Sequence, residues 1–208
     1  MQIEIIDASI AYGDMIVFEH FTASIAAQRV TALVGPSGSG KSSLLAAMAG
    51  FQRLRAGEIF IQLDGDTEHS PPLSSEVAWV PQGSNALGAR SSIDNVMIAG
   101  LSQGISLGAA REEATHALEM VGLGSRSDQL AKTLSGGELQ RLALARALAA
   151  HKGAVFADEP SANLDEANTR EVASILRGLS EKATIVVATH DPFLMAAADD
   201  VIYVRPPA

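Results

Sequence analysis

Two spacings of apolar residues take turns along the chain. Residues 2–6 (QIEII) alternate apolar and polar, as a half-buried strand does. Within 22–34, TASIA and RVTALVG repeat a strand-like pattern on either side of a polar turn at Gln28 and Arg29. A helix is expected over 41–50, then a turn at Gly57 and a strand at EIFIQL (58–63). Residues 64–76 read as a polar, proline-containing loop, and VAWVP (77–81) as a short buried strand. From 92 to 150 the spacing turns helical, with Gly and Ser breaks. Strand-like runs return at AVFAD (154–158), ATIVVAT (183–189) and VIYV (201–204), with helices near 167–178 and 193–197. Continuous apolar strands alternating with helices imply an α/β fold whose parallel sheet is covered on both faces. The helical middle third reads as an inserted subdomain.

Composition narrows the function classes. The 208 residues suit one domain, or one domain with a subdomain. Hydrophobic residues make up 47% but aromatics only 4%, so the core must be built from Ala, Val, Ile and Leu. A net charge of −9 argues against non-specific nucleic-acid binding, which needs a basic surface, and no nucleic-acid partner is expected. With no cysteine, disulfides and thiolate metal sites are excluded. The start, MQIEIIDASI, lacks the basic and long apolar regions of a signal peptide. No window reaches the roughly 18 apolar residues of a membrane span. The expectation is a cytoplasmic protein; work at a membrane requires another chain to supply the membrane part.

The first chemical motif is GPSGSGKSS, in which Gly35, Gly40, Lys41 and Ser42 hold the spacing of a Walker A phosphate loop. Gly35, Gly38 and Gly40 let successive backbone N–H groups close on phosphate oxygens. Pro36, Ser37, Ser39 and Ser43 complete the cradle. Lys41 is placed to bind the terminal phosphates and Ser42 to ligate Mg²⁺. A plain Gly/Ser turn is the alternative, but a strand before and a helix after favour the phosphate loop.

The second motif is AVFADEP, a strand that ends in Asp158 and Glu159. Open α/β sheets bind ligands at such strand ends. Asp158 suits Mg²⁺ and Glu159 suits activation of a water, although Asp-Glu-Pro also simply stops a strand. His190 in THD can contact a γ-phosphate or be a solvated turn residue. Gln82, after VAWVP, is a polar strand end, and Tyr12 precedes a Gly13-Asp14 turn where a ring can stack on adenine. LSGGELQ opens a helix: Ser135 and Glu138 have capping-box spacing, which leaves Gly136 and Gly137 to be explained.

GPSGSGKS, Gln82, LSGGELQ, AVFADEP, SANLD and THD occur in that order. The set closely resembles the ATP-binding subunit of ABC transporters, over essentially the whole chain. The resemblance implies a P-loop NTPase with a RecA-like core and an antiparallel β subdomain (1–82 and 153–208) and a helical subdomain (83–152). It implies ATP and Mg²⁺ as ligands. Tyr12 would stack on adenine, Gln82 would sense Mg²⁺, and Glu159 would be the catalytic base beside Lys41 and His190. Asp165 would lie at a dimer interface, with Ser135, Gly136, Gly137 and Glu138 of one subunit closing on the nucleotide of the other. On this reading a Cβ at Gly137 would obstruct the partner's γ-phosphate. The partners implied are a second ATPase subunit and integral-membrane permease subunits, with the chain peripheral on the cytoplasmic face of the inner membrane.

DEPSANLD resembles the DEPTGNLD-like form of the lipoprotein-release, macrolide-efflux and cell-division ATPases. Segment 83–96, GSNALGARSSIDNV, departs from the usual apolar stretch; Ser91 and Asp94 can cap the helix that follows. Three functions compete: a transport ATPase, a membrane-associated mechanotransmission ATPase that moves no substrate, and a soluble ABC ATPase such as one in iron–sulfur assembly. The interval between Lys41 and Ser135 is too short for a coiled-coil insertion, and the lack of cysteine excludes zinc-bearing repair relatives.

Overall fold

The computed structural model describes residues 1–63 and 70–205, so part of the expected 64–76 loop, at 64–69, lies outside the described residues. The order is β1 (Gln2–Tyr12), β2 (Met15–Ile25), β3 (Val30–Val34), α1 (Lys41–Met48), β4 (Ala56–Gln62) and β5 (Val77–Val80). Then come α2 (Ser92–Leu101), α3 (Leu107–Met120) and α4 (Gly136–Leu148). The chain closes with β6 (Ala154–Asp158), α5 (Glu166–Ser180), β7 (Thr184–Thr189), α6 (Pro192–Ala197) and β8 (Asp200–Tyr203).

The strands form two sheets, antiparallel β2-β1-β4 and parallel β5-β6-β7-β3-β8. The period-2 alternation of each parallel strand divides the core. Phe156, Val186 and Ala188 face α1 and the antiparallel sheet. Val155, Ala157, Ile185 and Val187 face the cluster that holds α2 to α5. Because both faces are covered, β6 and β7 read as unbroken apolar runs.

The N-terminal hairpin is longer than its pattern predicts. Residues 2–6 and 22–26 are its outer ends; β1 runs on to Tyr12 and β2 begins at Met15. The alternation is hidden by register shifts around Asp7 and Ala8. Asp7 and His20 both take positive φ, and Asp7 Oδ1 lies 2.7 Å from His20 Nδ1. A bulge of this kind swaps which positions face inward.

Short polar side chains start the helices. Ser91, Ser106, Ser135, Asp165 and Asp191 each accept a first-turn N–H, at α2, α3, α4, α5 and α6. Helix α1 differs: Gly40 precedes it and no side chain caps it. Within the first turn of α2, buried Asn95 pins the preceding loop. Its amide accepts from Leu87 N–H at 2.7 Å and donates to the carbonyls of Leu87 and Ser91 at 3.1 and 2.9 Å.

Phe156 is fully buried between the two sheets. Phe156→Ala should lower stability by about 3–5 kcal/mol, the range for a large core deletion. Urea unfolding measures this; a loss below about 1 kcal/mol would mean that the core collapses around the gap.

Candidate nucleotide and magnesium site

Strand order decides which loops meet. β5, β6, β7 and β3 are consecutive and parallel, so the segments that leave them emerge along one edge. Those segments carry Gln82, Glu159, His190 and the phosphate loop. Gln82, Glu159, His190 and Ser37 to Ser43 of the loop line one open cleft of about 390 Å³, with Tyr12, Met15 and Val17 from the β1–β2 hairpin on its wall. Carboxyl-end clefts of this kind are where open α/β sheets hold ligands.

In the loop, Gly40 has φ +92°, and a Cβ there would lie 2.5 Å from Val17 and 3.0 Å from Phe18. Only glycine satisfies both demands. The uncapped start of α1 leaves first-turn N–H groups for an anion. Lys41 folds back, its Nζ donating to the carbonyls of Gly35 at 2.9 Å and Pro36 at 3.3 Å. The same ammonium pairs with the Glu159 carboxylate at 3.4 Å. Ser39 Oγ is buried without a protein partner among the described residues.

The acidic pair is held from both sides. Ser42 Oγ donates to Asp158 Oδ1 at 2.9 Å. Burial pushes the Asp158 carboxyl above its ordinary pKa, the Ser42 hydrogen bond opposes this, and the Glu159 charge adds to it. Glu159 takes a left-handed φ of 45°, and its N–H donates to Ala188 O at 2.8 Å. A non-glycine residue held there stores about 1–3 kcal/mol of strain. His190 Nδ1 lies 3.1 Å from Glu159 Oε1. Ser42 and Asp158 present the hard oxygens that Mg²⁺ prefers, and Gln82 lies on the same cleft, so the residues fit that ion.

Tyr12 ends β1, about half exposed, with its hydroxyl 3.2 Å from Ser43 Oγ. Met15, opposite it across the turn, is 64% exposed. Together they form an apolar platform beside the phosphate loop. The hidden strand alternation conceals the contribution of Met15 and Val17 in the sequence.

The turn that opens α4 from LSGGELQ, the signature turn, lies elsewhere: neither its Ser135, Gly136, Gly137 and Glu138 nor Asp165 line the cleft of their own chain. The capping box is formed, with Ser135 N–H donating to Glu138 at 2.8 Å and Glu138 N–H to Ser135 Oγ at 3.3 Å. The two glycines differ. Gly136 is open, with nothing within 4 Å of an added Cβ. Gly137 is buried, and a Cβ there would lie 2.3 Å from Asn168 Oδ1 in the same chain. The obstruction expected from a partner's phosphate is therefore met first within the subunit. Asp165 caps α5, accepting from Asn168 N–H at 2.9 Å, which holds its carboxyl below the ordinary range. Asn168 escapes a motif-based reading; its only trace is its place three residues after a capping Asp.

A family model described as "ABC transporter" matches residues 18–162. The chain belongs to the ABC transporter family. Its fold is that of the family's P-loop ATPase cassette. The chain is 37% identical over 186 residues to the lipoprotein-releasing system ATP-binding protein LolD of Bdellovibrio bacteriovorus, which covers 86% of this chain and 84% of that one. It is 36% identical over 210 residues to the macrolide export ATP-binding/permease protein MacB of Rhodopirellula baltica, covering 96% of this chain but only 30% of that protein. Among solved structures, cbiO1 from Clostridium perfringens, part of the ABC transporter complex cbiONQ, matches the fold with TM-score 0.87 at 24% identity, covering 98% of this chain and 84% of that one. The cassette MJ0796, solved as a dimer bound to ADP and phosphate, matches with TM-score 0.83 at 25% identity, covering 98% and 94%. ATP binding and hydrolysis are the general activities of this family.

The raised pKa of Asp158 makes its charge a cost to the folded chain. A carboxyl with a raised folded pKa loses stability as pH rises from its ordinary value through the raised one. Asp158→Asn should therefore raise the Tm of the nucleotide-free protein at neutral pH, with the gain shrinking as pH falls towards the ordinary carboxylate range. Calorimetry over that span checks the sign; a lower Tm at neutral pH would contradict it.

Proposed function

We propose that the chain binds and hydrolyses MgATP, pairs with a second cassette around two nucleotides, and drives conformational change in a separate membrane permease. The observation that carries this reading is the meeting of Lys41, Glu159, His190 and Gln82 on the phosphate-loop cleft. The ATP phosphates lie along the loop N–H groups and the start of α1, with the adenine on Tyr12 and Met15. Ser42, Asp158 and Gln82 would hold Mg²⁺, which would neutralise charge on the transferring phosphates.

Lys41 exchanges its Glu159 contact for γ-phosphate oxygens. That frees the Glu159 carboxylate to take a proton from the attacking water, while His190 steadies the carboxylate and the γ-phosphate. The strained φ of Glu159 and its bond to Ala188 fix the direction of the carboxylate before substrate arrives.

Dimerisation is supported by the place of the signature turn. Among the described residues nothing accepts from the N–H groups of Gly136 and Gly137, so the start of α4 offers an anion site that its own cleft cannot use. A second copy supplies the phosphate, with Asp165 beside the seam. Residues 83–152 act as a helical unit against a core of 1–82 and 153–208. Segment 83–96 faces the permease, with the chain on the cytoplasmic face of the membrane. The likeness to LolD and MacB supports transport as the task driven. No helix among the described residues is long and apolar enough to cross a membrane.

Glu159→Gln should keep MgATP affinity and lower turnover about a hundredfold or more, the loss expected for a general base. It should accumulate as a dimer in saturating MgATP. Light scattering that finds a monomer there would count against the shared site. Lys41→Ala should weaken ATP binding about tenfold or more, as loss of a charged phosphate contact does. Titration calorimetry giving an unchanged Kd would refute that role.

A further inference from the structure

The side chain that buries Gly137 belongs to a chain of contacts between two segments far apart in sequence. The amide of Asn168, in the first turn of α5, packs against Gly137 in the first turn of α4. Its Oδ1, Cγ and Nδ2 would stand 2.3, 2.6 and 3.2 Å from a Cβ on Gly137. Both ends of the amide are engaged. Nδ2 donates to Asp165 Oδ1 at 2.8 Å, and Oδ1 accepts from Arg141 Nη1 at 3.1 Å. Arg141 lies one turn into α4, is only 15% exposed, and also pairs with Glu171 on α5. An amide suits this place, since it offers a donor to a carboxylate and an acceptor to a guanidinium at once.

We propose that Asn168 is a positioning residue that locks the signature turn to the Asp165 loop, so that both surfaces meet the partner's nucleotide as one rigid unit. The proposal rests on the dimer reading above. Asn168 lines no part of its own chain's nucleotide cleft, so its influence falls on the opposite subunit's site. It also gives Gly137 a reason inside the subunit: a methyl there would push the amide off Asp165 and Arg141.

The test is a compensating pair. Asn168→Ala should bind a fluorescent ATP analogue as wild type does. Its MgATP-dependent dimerisation, measured in the Glu159→Gln background, should weaken about tenfold, as expected for losing hydrogen bonds to charged groups. Gly137→Ala should lose most turnover, and Gly137→Ala combined with Asn168→Ala should recover to the level of Asn168→Ala alone, because the three crowding atoms are gone. Should Gly137→Ala fail to fold, recovery of folding in the double variant is the supporting result. A double variant no better than Gly137→Ala overturns the lock and assigns the glycine to the partner's phosphate. Wild-type dimerisation in Asn168→Ala overturns it as well. If Glu159→Gln alone forms no dimer in MgATP, the dimer reading fails first and the lock falls with it.

Discussion

Parallelism is the constraint on which the molecule depends. Five strands run the same way, so every chain segment that leaves a strand end does so along one edge. The order β5-β6-β7-β3 then makes neighbours of groups separated by up to a hundred or more positions. The backbone ladder brings these strand-end groups together, and side-chain contacts then hold them in place. This also explains why the core is built from small branched residues. A sheet covered on both faces needs compact side chains in every direction, and Ala, Val, Ile and Leu supply them.

The cleft itself works against stability. It gathers a buried lysine, two adjacent carboxylates, a hydroxyl with no protein partner among the described residues and a non-glycine residue at positive φ. Such groups persist only where the surroundings hold them in place. Here the second sheet does part of the holding: Val17 and Phe18 press on Gly40 and fix the last turn of the phosphate loop. The β1–β2 hairpin thus reaches the phosphates as well as the platform formed by Tyr12 and Met15. The Lys41–Glu159 pair keeps two buried charges from facing an apolar wall alone.

The cleft was legible because its residues are chemically rare at their spacing. Gly35, Gly40, Lys41 and Ser42 form a pattern that few other structures require, and Asp158 and Glu159 close a run whose apolar length already marks it as buried. The parallel strands were legible for the same reason. The hairpin was not, because the bulge at Asp7 and His20 resets its alternation midway. Gly137 was half legible: its smallness was plain, but the neighbour that demands it, Asn168, lies across a tertiary contact. Met15 and Val17 look like ordinary strand residues until their hairpin is seen beside the phosphate loop. Sequence spacing records the local demands of backbone and charge, and contacts between distant elements leave almost no trace in it.

The buried amide of Asn95 has a mechanical meaning. It ties the residues between Leu87 and Ser91 to the first turn of α2 through main-chain atoms on both sides. A stretch fastened in this way cannot slacken or pay out under load. It behaves as a short strut braced on the first turn of α2.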